Sequence, residues 1–305
     1  MIKSITVTNY LGDSIKLKLG EPEKSGFLVK SIEGLGPVKA NINTTNISTN
    51  DGTLYNSARL DQRNIVMEVI FMETVYGESI EDVRQKSYKY FPIKKNVELL
   101  VETDNRLLKT VGYVETNEPN IFSKQEGTQI SIICPDPYFY SADGNQVTDF
   151  YSIEPMFEFP FSNESLDEPL IVFSEIHVKT SGVVVYEGDS EIGMTIEMHA
   201  VGPASNITIY NLDTRETMVI DTAKIESITG KGIVARDDII INTSRGNKGI
   251  KLMREGVTYN ILNALDKNTK WFSLTKGDNS FAFTADEGVT NLQFKITNKV
   301  IYEGV

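Results

Sequence analysis

The sequence contains few of the residues on which catalysis and metal binding most often depend. It has one cysteine, Cys134, and two histidines, His177 and His199. A single cysteine excludes an intramolecular disulfide and a thiolate cluster for a metal. A hydrolase triad needs a histidine beside a nucleophile, and no Gly-x-Ser-x-Gly nucleophile elbow occurs. We therefore expect no enzymatic activity, no cofactor and no metal site. Cys134 should be a small buried residue at a strand end, and both histidines ordinary sheet residues.

Long apolar runs and basic stripes are also missing. No segment approaches the roughly 18 apolar residues of a transmembrane helix. Residues 1–10 alternate apolar and polar side chains, unlike the unbroken apolar core of a secretory signal. The net charge is −12, without the basic stripe that holds nucleic acid phosphates. We expect no export, no membrane insertion and no specific binding of nucleic acid.

The negative charge is concentrated in the second half of the chain. Residues 1–140 carry 16 basic and 18 acidic residues, a net charge of −2, whereas residues 141–305 carry 14 basic and 24 acidic residues, a net charge of −10. The simplest role of an acidic half is solubility. Adjacent carboxylates such as Asp237-Asp238 are expected on solvated surfaces, where they indicate no glycosidase acid and base.

The two halves meet at a motif that ends a β-sheet. Residues 127–140, GTQISIICPDPYFY, run from an alternating strand into Pro135 and Pro137. Proline lacks an amide donor and biases the preceding residue towards extended backbone, so sheet pairing must stop here. The sequence thus predicts three parts: an N-terminal domain over 1–140, a connector over 141–168 with an extended strand through Met156-Phe-Glu-Phe, and a second domain over 169–305.

The first domain is predicted to be β-rich with one helix. Residues 64–72 are apolar enough for a central strand that is covered on both faces. Residues 96–102 and 107–115 flank a polar four-residue loop suited to a hairpin. A helix is predicted over about residues 79–90, where Ser79 begins an approximate capping box, and its apolar stripe should pack on a sheet face.

The second domain is predicted to be all β. Turn signals such as Lys276-Gly-Asp-Asn279 separate short apolar runs. The runs lie at residues 171–173, 182–186, 194–198, 207–210 and 239–241. Strands at this spacing favour a β-sandwich or jelly roll. Trp271, the one tryptophan, is either a stacking platform for a sugar or a core residue before a hairpin turn at 277–279. We favour the core, because a single aromatic residue makes a poor platform.

Further motifs lie along the whole chain. In the first half they are Gly26-Phe-Leu-Val-Lys-Ser-Ile-Glu-Gly-Leu-Gly, Asn50-Asp-Gly-Thr-Leu-Tyr, Arg63-Asn-Ile, Tyr90-Phe-Pro, Thr110-Val-Gly-Tyr-Val-Glu and Cys134-Pro-Asp-Pro-Tyr-Phe. In the second half they are Glu187-Gly-Asp-Ser-Glu-Ile-Gly, Thr208-Ile-Tyr-Asn-Leu, Trp271-Phe-Ser-Leu-Thr-Lys-Gly-Asp-Asn and Tyr302-Glu-Gly-Val. Together and in this order, these segments resemble the distal tail proteins of phages with long non-contractile tails that infect Gram-positive bacteria.

This resemblance implies a mainly β protein. Its N-terminal domain, with one helix, would assemble into a hexameric ring, and its C-terminal domain would be a galectin-like β-sandwich of the jelly-roll type. The implied role is that of a structural virion protein at the distal end of the tail, from an active phage or a prophage, assembled in the bacterial host cytoplasm. The implied partners are the tail tube, the tape-measure protein and the baseplate hub or tail-tip proteins.

Ring contacts are expected in a loop over residues 49–60, whose Asn50-Asp-Gly turn would project between strands. Asp51, Gly52 and Arg59 are the candidate interface residues. The near-neutral first domain would then line the channel through which DNA leaves, and the acidic second domain would lie outside. The alternative function is a carbohydrate-binding adhesin that recognises host cell-wall saccharide through the C-terminal sandwich, with Trp271 as the glycan contact.

Overall fold

The structure is a computed structural model that describes residues 1–46, 51–155 and 174–305. The chain divides into two compact units: unit 1 is Met1–Gly144 with Ile301–Val305, and unit 2 is Asn145–Val300. The sequence placed the first boundary at residue 140 and assigned the last residues to the second domain, whereas the last five residues belong to unit 1. The predicted strand at 156–159 and the apolar run at 171–173 lie outside the described residues.

Unit 1 is built mostly from antiparallel strands. They are β1 (Ile2–Asn9), β2 (Ser14–Lys18), β3 (Phe27–Glu33), β4 (Ala40–Asn46), β5 (Thr53–Leu60), β6 (Arg63–Phe71), β7 (Asn96–Thr103), β8 (Leu107–Asn120), β9 (Gly127–Cys134), β10 (Phe139–Ser141) and, at the C-terminus, β23 (Ile301–Tyr302). Helix α1 (Pro22–Ser25) follows β2, and helix α2 (Ile80–Tyr90) follows β6.

The main sheet of unit 1 has the strand order β2-β1-β7-β8-β9-β6-β3, with β10 paired to both β8 and β23. The predicted hairpin is confirmed, because β7 pairs with β8 from Asn96 opposite Tyr113 to Glu102 opposite Leu107. The expectation that residues 64–72 are covered on both faces is wrong. Buried residues alternate with partly exposed ones along β6, as they do in a sheet that packs against the core on one face.

Helix α2 begins where the sequence predicted. The Ser79 side chain accepts a hydrogen bond from the Asp82 amide, and the Asp82 carboxylate accepts one from the Ser79 amide. This capping box satisfies amides that have no partner inside the helix. Val83 and the C-cap residue Phe91 are buried, so one face of the helix packs inward. In the described part of the chain, no helix has the length and apolar character to cross a bilayer.

Unit 2 contains two larger antiparallel sheets. Its strands are β11 (Gln146–Asp149), β12 (Tyr151–Pro155), β13 (Ser174–Val178), β14 (Ser181–Tyr186), β15 (Thr195–Ala200), β16 (Ser205–Asn211), β17 (Glu216–Ile220), β18 (Asp238–Asn242), β19 (Gly249–Arg254), β20 (Val257–Asn260), β21 (Gly277–Glu287) and β22 (Leu292–Asn298). One sheet has the order β11-β22-β15-β18-β19-β20 and the other β14-β21-β16-β17, while β12 pairs with β13. Helix α3 (Thr222–Thr229) and short 3-10 helices at Leu262–Ala264 and Val289–Asn291 complete the unit.

The two larger sheets meet through aromatic side chains. Phe283 of β21 stacks on Phe294 of β22, and Phe150 contacts Phe283 edge-on. The mainly β fold class predicted from the sequence is confirmed. The predicted hairpin turn at residues 277–279 is wrong, because these residues open β21 and pair with β14. Helix α3 was not predicted, since Ile225 is its one buried residue and leaves no apolar stripe to detect.

Candidate functional site

The most distinctive surface of unit 1 is a separate hairpin made of β4 and β5, here called the arm. Its strands pair from Ala40 opposite Leu60 to Asn46 opposite Thr53. Residues 53–60, which the sequence predicted as part of a loop, are therefore strand β5. Gly52, at the tip, has a left-handed backbone with a φ of 92°, a conformation that glycine adopts without steric cost.

The arm exposes apolar side chains that a free hairpin has no reason to carry. Every residue of β4 and β5 is exposed apart from Leu60, which is partly so. Ile42, Leu54 and Tyr55 are 59%, 56% and 62% exposed. A lone two-stranded hairpin is marginally stable in water, and exposed apolar groups on an unpaired strand favour association with another chain. The arm is therefore a candidate for a protein–protein contact.

The three predicted interface residues occupy different parts of the arm. Asp51 and Gly52 lie at the tip, whereas Arg59 lies near the base, where it pairs with Asn41 across the strands. The Arg59 guanidinium is 3.6 Å from the Asp61 carboxylate. Because Asp51 and Arg59 lie towards opposite ends of β5, they form no single cluster, and their part in an interface stays a prediction.

The base of the arm is fixed by Arg63, a residue that sequence reasoning did not single out as functional. Its side chain is 1% exposed. The guanidinium donates to the carbonyl oxygens of Pro137 at 2.8 Å, Gly36 at 2.6 Å and Glu303 at 2.6 Å, with a further bond to Gly34. It also lies 4.3 Å above the Phe139 ring centroid. Arg63 thus joins the start of β6, the segment before the arm, the proline-rich motif and the C-terminal residues.

Burial also changes the protonation equilibria at this base. Desolvation lowers the pKa of Arg63, although an arginine remains charged at any physiological pH. Cys134, at the end of β9, is buried as predicted, and the same cause raises the pKa of its thiol. A buried thiol with a raised pKa holds little of the reactive thiolate, so Cys134 has a packing role.

In unit 2, the candidate glycan contact Trp271 lies partly at the surface. It is partly exposed, and the ammonium of Lys248 is 5.9 Å from its ring centroid. The next residue, Phe272, is buried and contacts Phe281. The expectation that Trp271 is a core residue is therefore not met, because Phe272 fills the core position.

The carboxylate pair Asp237-Asp238 corrects a second expectation. Asp238 is half exposed, and its Oδ1 lies 2.6 Å from Nδ1 of His199 on the neighbouring strand. Asp237, which was expected on a solvated surface, is completely buried and accepts bonds from Arg254 at 2.7 and 2.5 Å. The sequence gives no sign of this pairing, because 17 residues separate the partners. The described residues contain no group of three or more metal-ligating side chains.

Comparison with known proteins finds a similar fold in a phage protein. No family model matches the chain, and no curated protein matches its sequence. The structure is similar to Dit of phage SPP1, described as a paradigm of the hub adsorption apparatus of phages that infect Gram-positive bacteria, with a TM-score of 0.61 and 13% identity over 97% of this chain and 98% of that chain.

Two further similar chains come from the phage P2 baseplate in its activated conformation. The one with Ca has a TM-score of 0.43 and 13% identity over 100% of both chains. The one with Sr has a TM-score of 0.41 and 13% identity over 97% of this chain and 98% of that chain. The similarity to SPP1 Dit shows a shared fold, so the resemblance seen in the sequence is confirmed at the level of the fold.

Proposed function

We propose that this chain is a structural protein of a phage tail tip that assembles into a ring, of six copies, through its arm. The observation that carries the proposal is the arm itself, a hairpin with exposed Ile42, Leu54 and Tyr55. The fold shared with SPP1 Dit supports a role in a hub or baseplate. In this role the ring joins the tail tube and tape-measure protein to the hub or tail-tip proteins. The protein has no catalytic activity in this role, and the ring is assembled in the host cytoplasm.

Removal of the arm tests this proposal. Residues 41–59 are replaced by a short Gly-Ser turn, and mass is measured by light scattering over a wide range of concentrations. We expect the unaltered protein to form hexamers or stacked pairs of rings and the armless variant to stay monomeric. Its melting temperature should change little, because the arm strands are exposed. A Trp271→Ala variant, altered in unit 2, serves as the control that still assembles.

Two outcomes would count against the proposal. An armless variant that keeps the mass of the unaltered protein would show that the ring contact lies elsewhere. An unaltered protein that is monomeric at every concentration would rule out assembly without other tail proteins.

A second function, the carbohydrate-binding adhesin, retains one observation in its favour, the partial exposure of Trp271. Calorimetric titration with host cell-wall polysaccharide distinguishes the two functions. Binding that disappears in Trp271→Ala, with a folded variant, would support the adhesin. No binding by the unaltered protein would leave the structural role alone.

A further inference from the structure

A ring of identical head-to-tail contacts needs two different surfaces on each copy. One is the projecting surface, here the arm, and the other is the receiving surface on which the arm of the neighbouring copy binds. This inference rests on the proposed ring and concerns the receiving surface. We propose that the arm of one copy docks on the turn patch of the next copy, a surface of unit 1 where β1 turns into β2 and where α2 leads into β7. The turn patch consists of Tyr10, Leu11, Ile93, Lys94 and Lys95.

The turn patch has an apolar centre with cations beside it. Tyr10, Leu11 and Ile93 are 47%, 67% and 52% exposed. The Lys95 ammonium lies 5.2 Å from the Tyr10 ring centroid, which places both segments side by side. Lys94 has a positive φ of 65°, an uncommon conformation for a residue with a side chain. Apolar residues rimmed by charge form the usual anatomy of a protein interface.

The charges of the turn patch complement those of the arm. Residues 83–97 hold five cationic residues and no acidic one. Three of the five form ion pairs, Arg84 with Glu126, Lys86 with Glu78 and Lys89 with Asp13. Lys94 and Lys95 form no ion pair with a carboxylate in the described part of the chain. Over residues 40–58 the arm has a single charged residue, Asp51 at its tip. In the proposed contact, the Asp51 carboxylate would therefore lie near Lys94 and Lys95, which have no carboxylate partner among the described residues.

The sheet register brings the base of the arm and the turn patch to the same end of the sheet. The arm enters β6 at its first residues, where Asn64 lies opposite Ile133 of β9. Ile133 lies opposite Tyr113 of β8, and Tyr113 opposite Asn96 of β7. The adjacent Val97 lies opposite Asn9, immediately before the turn of the patch. These facing residues form a continuous row across the sheet, from β6 near one edge to β1 near the other. The base of the arm and the turn patch therefore lie at the same position along the strand direction.

This common level suits a closed ring. A cyclic ring has no rise along its axis. The contact we propose takes the strands to run near that axis, so that one level of the sheet corresponds to one height in the ring. The arm and the turn patch are both exposed within one copy, so the arm does not cover its own patch. The contact we propose is therefore between copies.

A rival receiving surface lies at the other end of the same sheet. Tyr76, in the loop after β6, is 75% exposed, and Phe122, in the loop between β8 and β9, is 95% exposed. The Phe71 amide donates to the Glu126 carbonyl at 2.9 Å, which brings both loops to that end. Lys124 is the one cation within five residues of Phe122 in sequence, so this loop lacks a pair like Lys94 and Lys95 to meet Asp51. It provides a matched control position of high exposure.

Cysteine cross-linking tests the contact directly, because the native Cys134 is fully buried. The variants are Asp51→Cys with Lys95→Cys and, as the control, Asp51→Cys with Phe122→Cys, each treated with a short bis-maleimide at high concentration. We expect a ladder of covalent oligomers from the first pair and none from the control. A mixture of the single variants Asp51→Cys and Lys95→Cys should stop at the dimer, since each such copy offers one reactive end.

A second experiment exchanges the charges across the proposed contact. The Lys94→Glu/Lys95→Glu variant should raise the dissociation constant of the assembly about tenfold, the combined size expected for exposed ion pairs that become repulsive. Addition of Asp51→Lys to that variant should restore assembly. Circular dichroism shows whether a charge variant has failed to fold. In that case the cross-linking of Asp51→Cys with Lys95→Cys, a variant that keeps Lys94, decides whether the proposed contact exists.

Several results would overturn this inference without touching the proposed ring. One is assembly that requires the arm but shows no cross-link between positions 51 and 95. Another is a ladder from the control pair. Duplex DNA retarded by the unaltered protein and released by Lys94→Glu/Lys95→Glu, with assembly unchanged, would assign the patch to nucleic acid instead. If neither the armless nor the charge variant changes the assembly, the proposed function and this inference fall together.

Discussion

Two hairpins of unit 1 have similar backbone pairing and very different surroundings. The arm and the β7–β8 hairpin each have seven pairs of facing residues. Along β7, however, Val97, Leu99 and Val101 are buried, whereas every residue of β4 is exposed. The β7–β8 hairpin is held by the core of its own sheet. The described strands of the arm have no such support of their own, and a lone hairpin is marginally stable in water, which agrees with the contact between copies proposed above.

The largest expected difference in the free energy of unfolding is between a substitution at the base of the arm and one on the arm itself. Arg63→Leu leaves the carbonyl oxygens of Gly34, Gly36, Pro137 and Glu303 without their donor, and we expect it to lower the free energy of unfolding by about 4 kcal/mol. Arg59→Leu, on the exposed arm, should change it by less than about 0.5 kcal/mol. Urea unfolding of both variants measures the difference. Equal losses would show that the arm is as firmly packed as its base.

The second effect compares two leucines, one from each hairpin. Leu99 is 1% exposed and Leu54 is 56% exposed. Leu99→Ala should cost about 3 kcal/mol, the usual range for a leucine lost from a core, and Leu54→Ala less than about 0.5 kcal/mol. The effect on assembly, measured by light scattering, should have the opposite order: Leu54→Ala should weaken assembly more than Leu99→Ala does. A Leu54→Ala variant that destabilises the monomer as much as Leu99→Ala would contradict the comparison.

A smaller effect concerns two serines with different local roles. Ser79→Ala removes the cap of α2 and should cost about 1 kcal/mol. Ser57 accepts a bond from the Asn43 side chain on the arm, and Ser57→Ala should cost less than about 0.5 kcal/mol, because both groups are exposed to water. Thermal unfolding at neutral pH measures both changes. A larger cost at Ser57 would mean that the arm is ordered by its own polar contacts.

The smallest effect is dependent on pH and lies at the β2 edge of the sheet. Bonds from Lys24 and Lys18 lower the pKa of Glu21 from 4.5 to about 2. A carboxyl with a lowered pKa in the folded state stabilises the protein above its unfolded pKa, and this contribution is lost as the pH falls through the folded value. Glu21→Gln should therefore melt slightly below the unaltered protein at pH 7, with the difference closing from pH 4.5 towards 2. A difference that is independent of pH would exclude this charge pairing as its cause.

The parts of the fold that depend on neighbours in sequence were predictable. The capping box at Ser79 and the alternation along β7 and β8 confirm this, because caps and strand periodicity involve residues a few positions apart. The turn predicted at 277–279 failed for the opposite reason. The side chain of Asn279 bonds to the carbonyls of Thr275 and Gly277, and pairing with β14 extends these turn-forming residues into a strand.

For the candidate site, the sequence indicated the tip residues Asp51 and Gly52 through their turn chemistry, but it did not reveal that residues 53–60 form a strand. It marked Arg63 as part of a motif but gave no sign that its side chain is buried. An arginine at the start of a strand is normally solvated, and its burial depends on carbonyls contributed by residues as distant as Glu303. The turn patch was missed because Tyr10 and Lys95 lie far apart in sequence and meet only across the sheet.

The sequence by itself determined many of the strands, the capped helix α2, the mainly β class and the shortage of catalytic residues, since all of these follow from composition and local spacing. Only the tertiary structure decided which polar residues are buried and which apolar residues are left exposed. Asp237 and Arg63 are inside and Leu54 and Phe122 are outside because burial is set by the neighbours that a distant segment supplies. No local pattern contains that information.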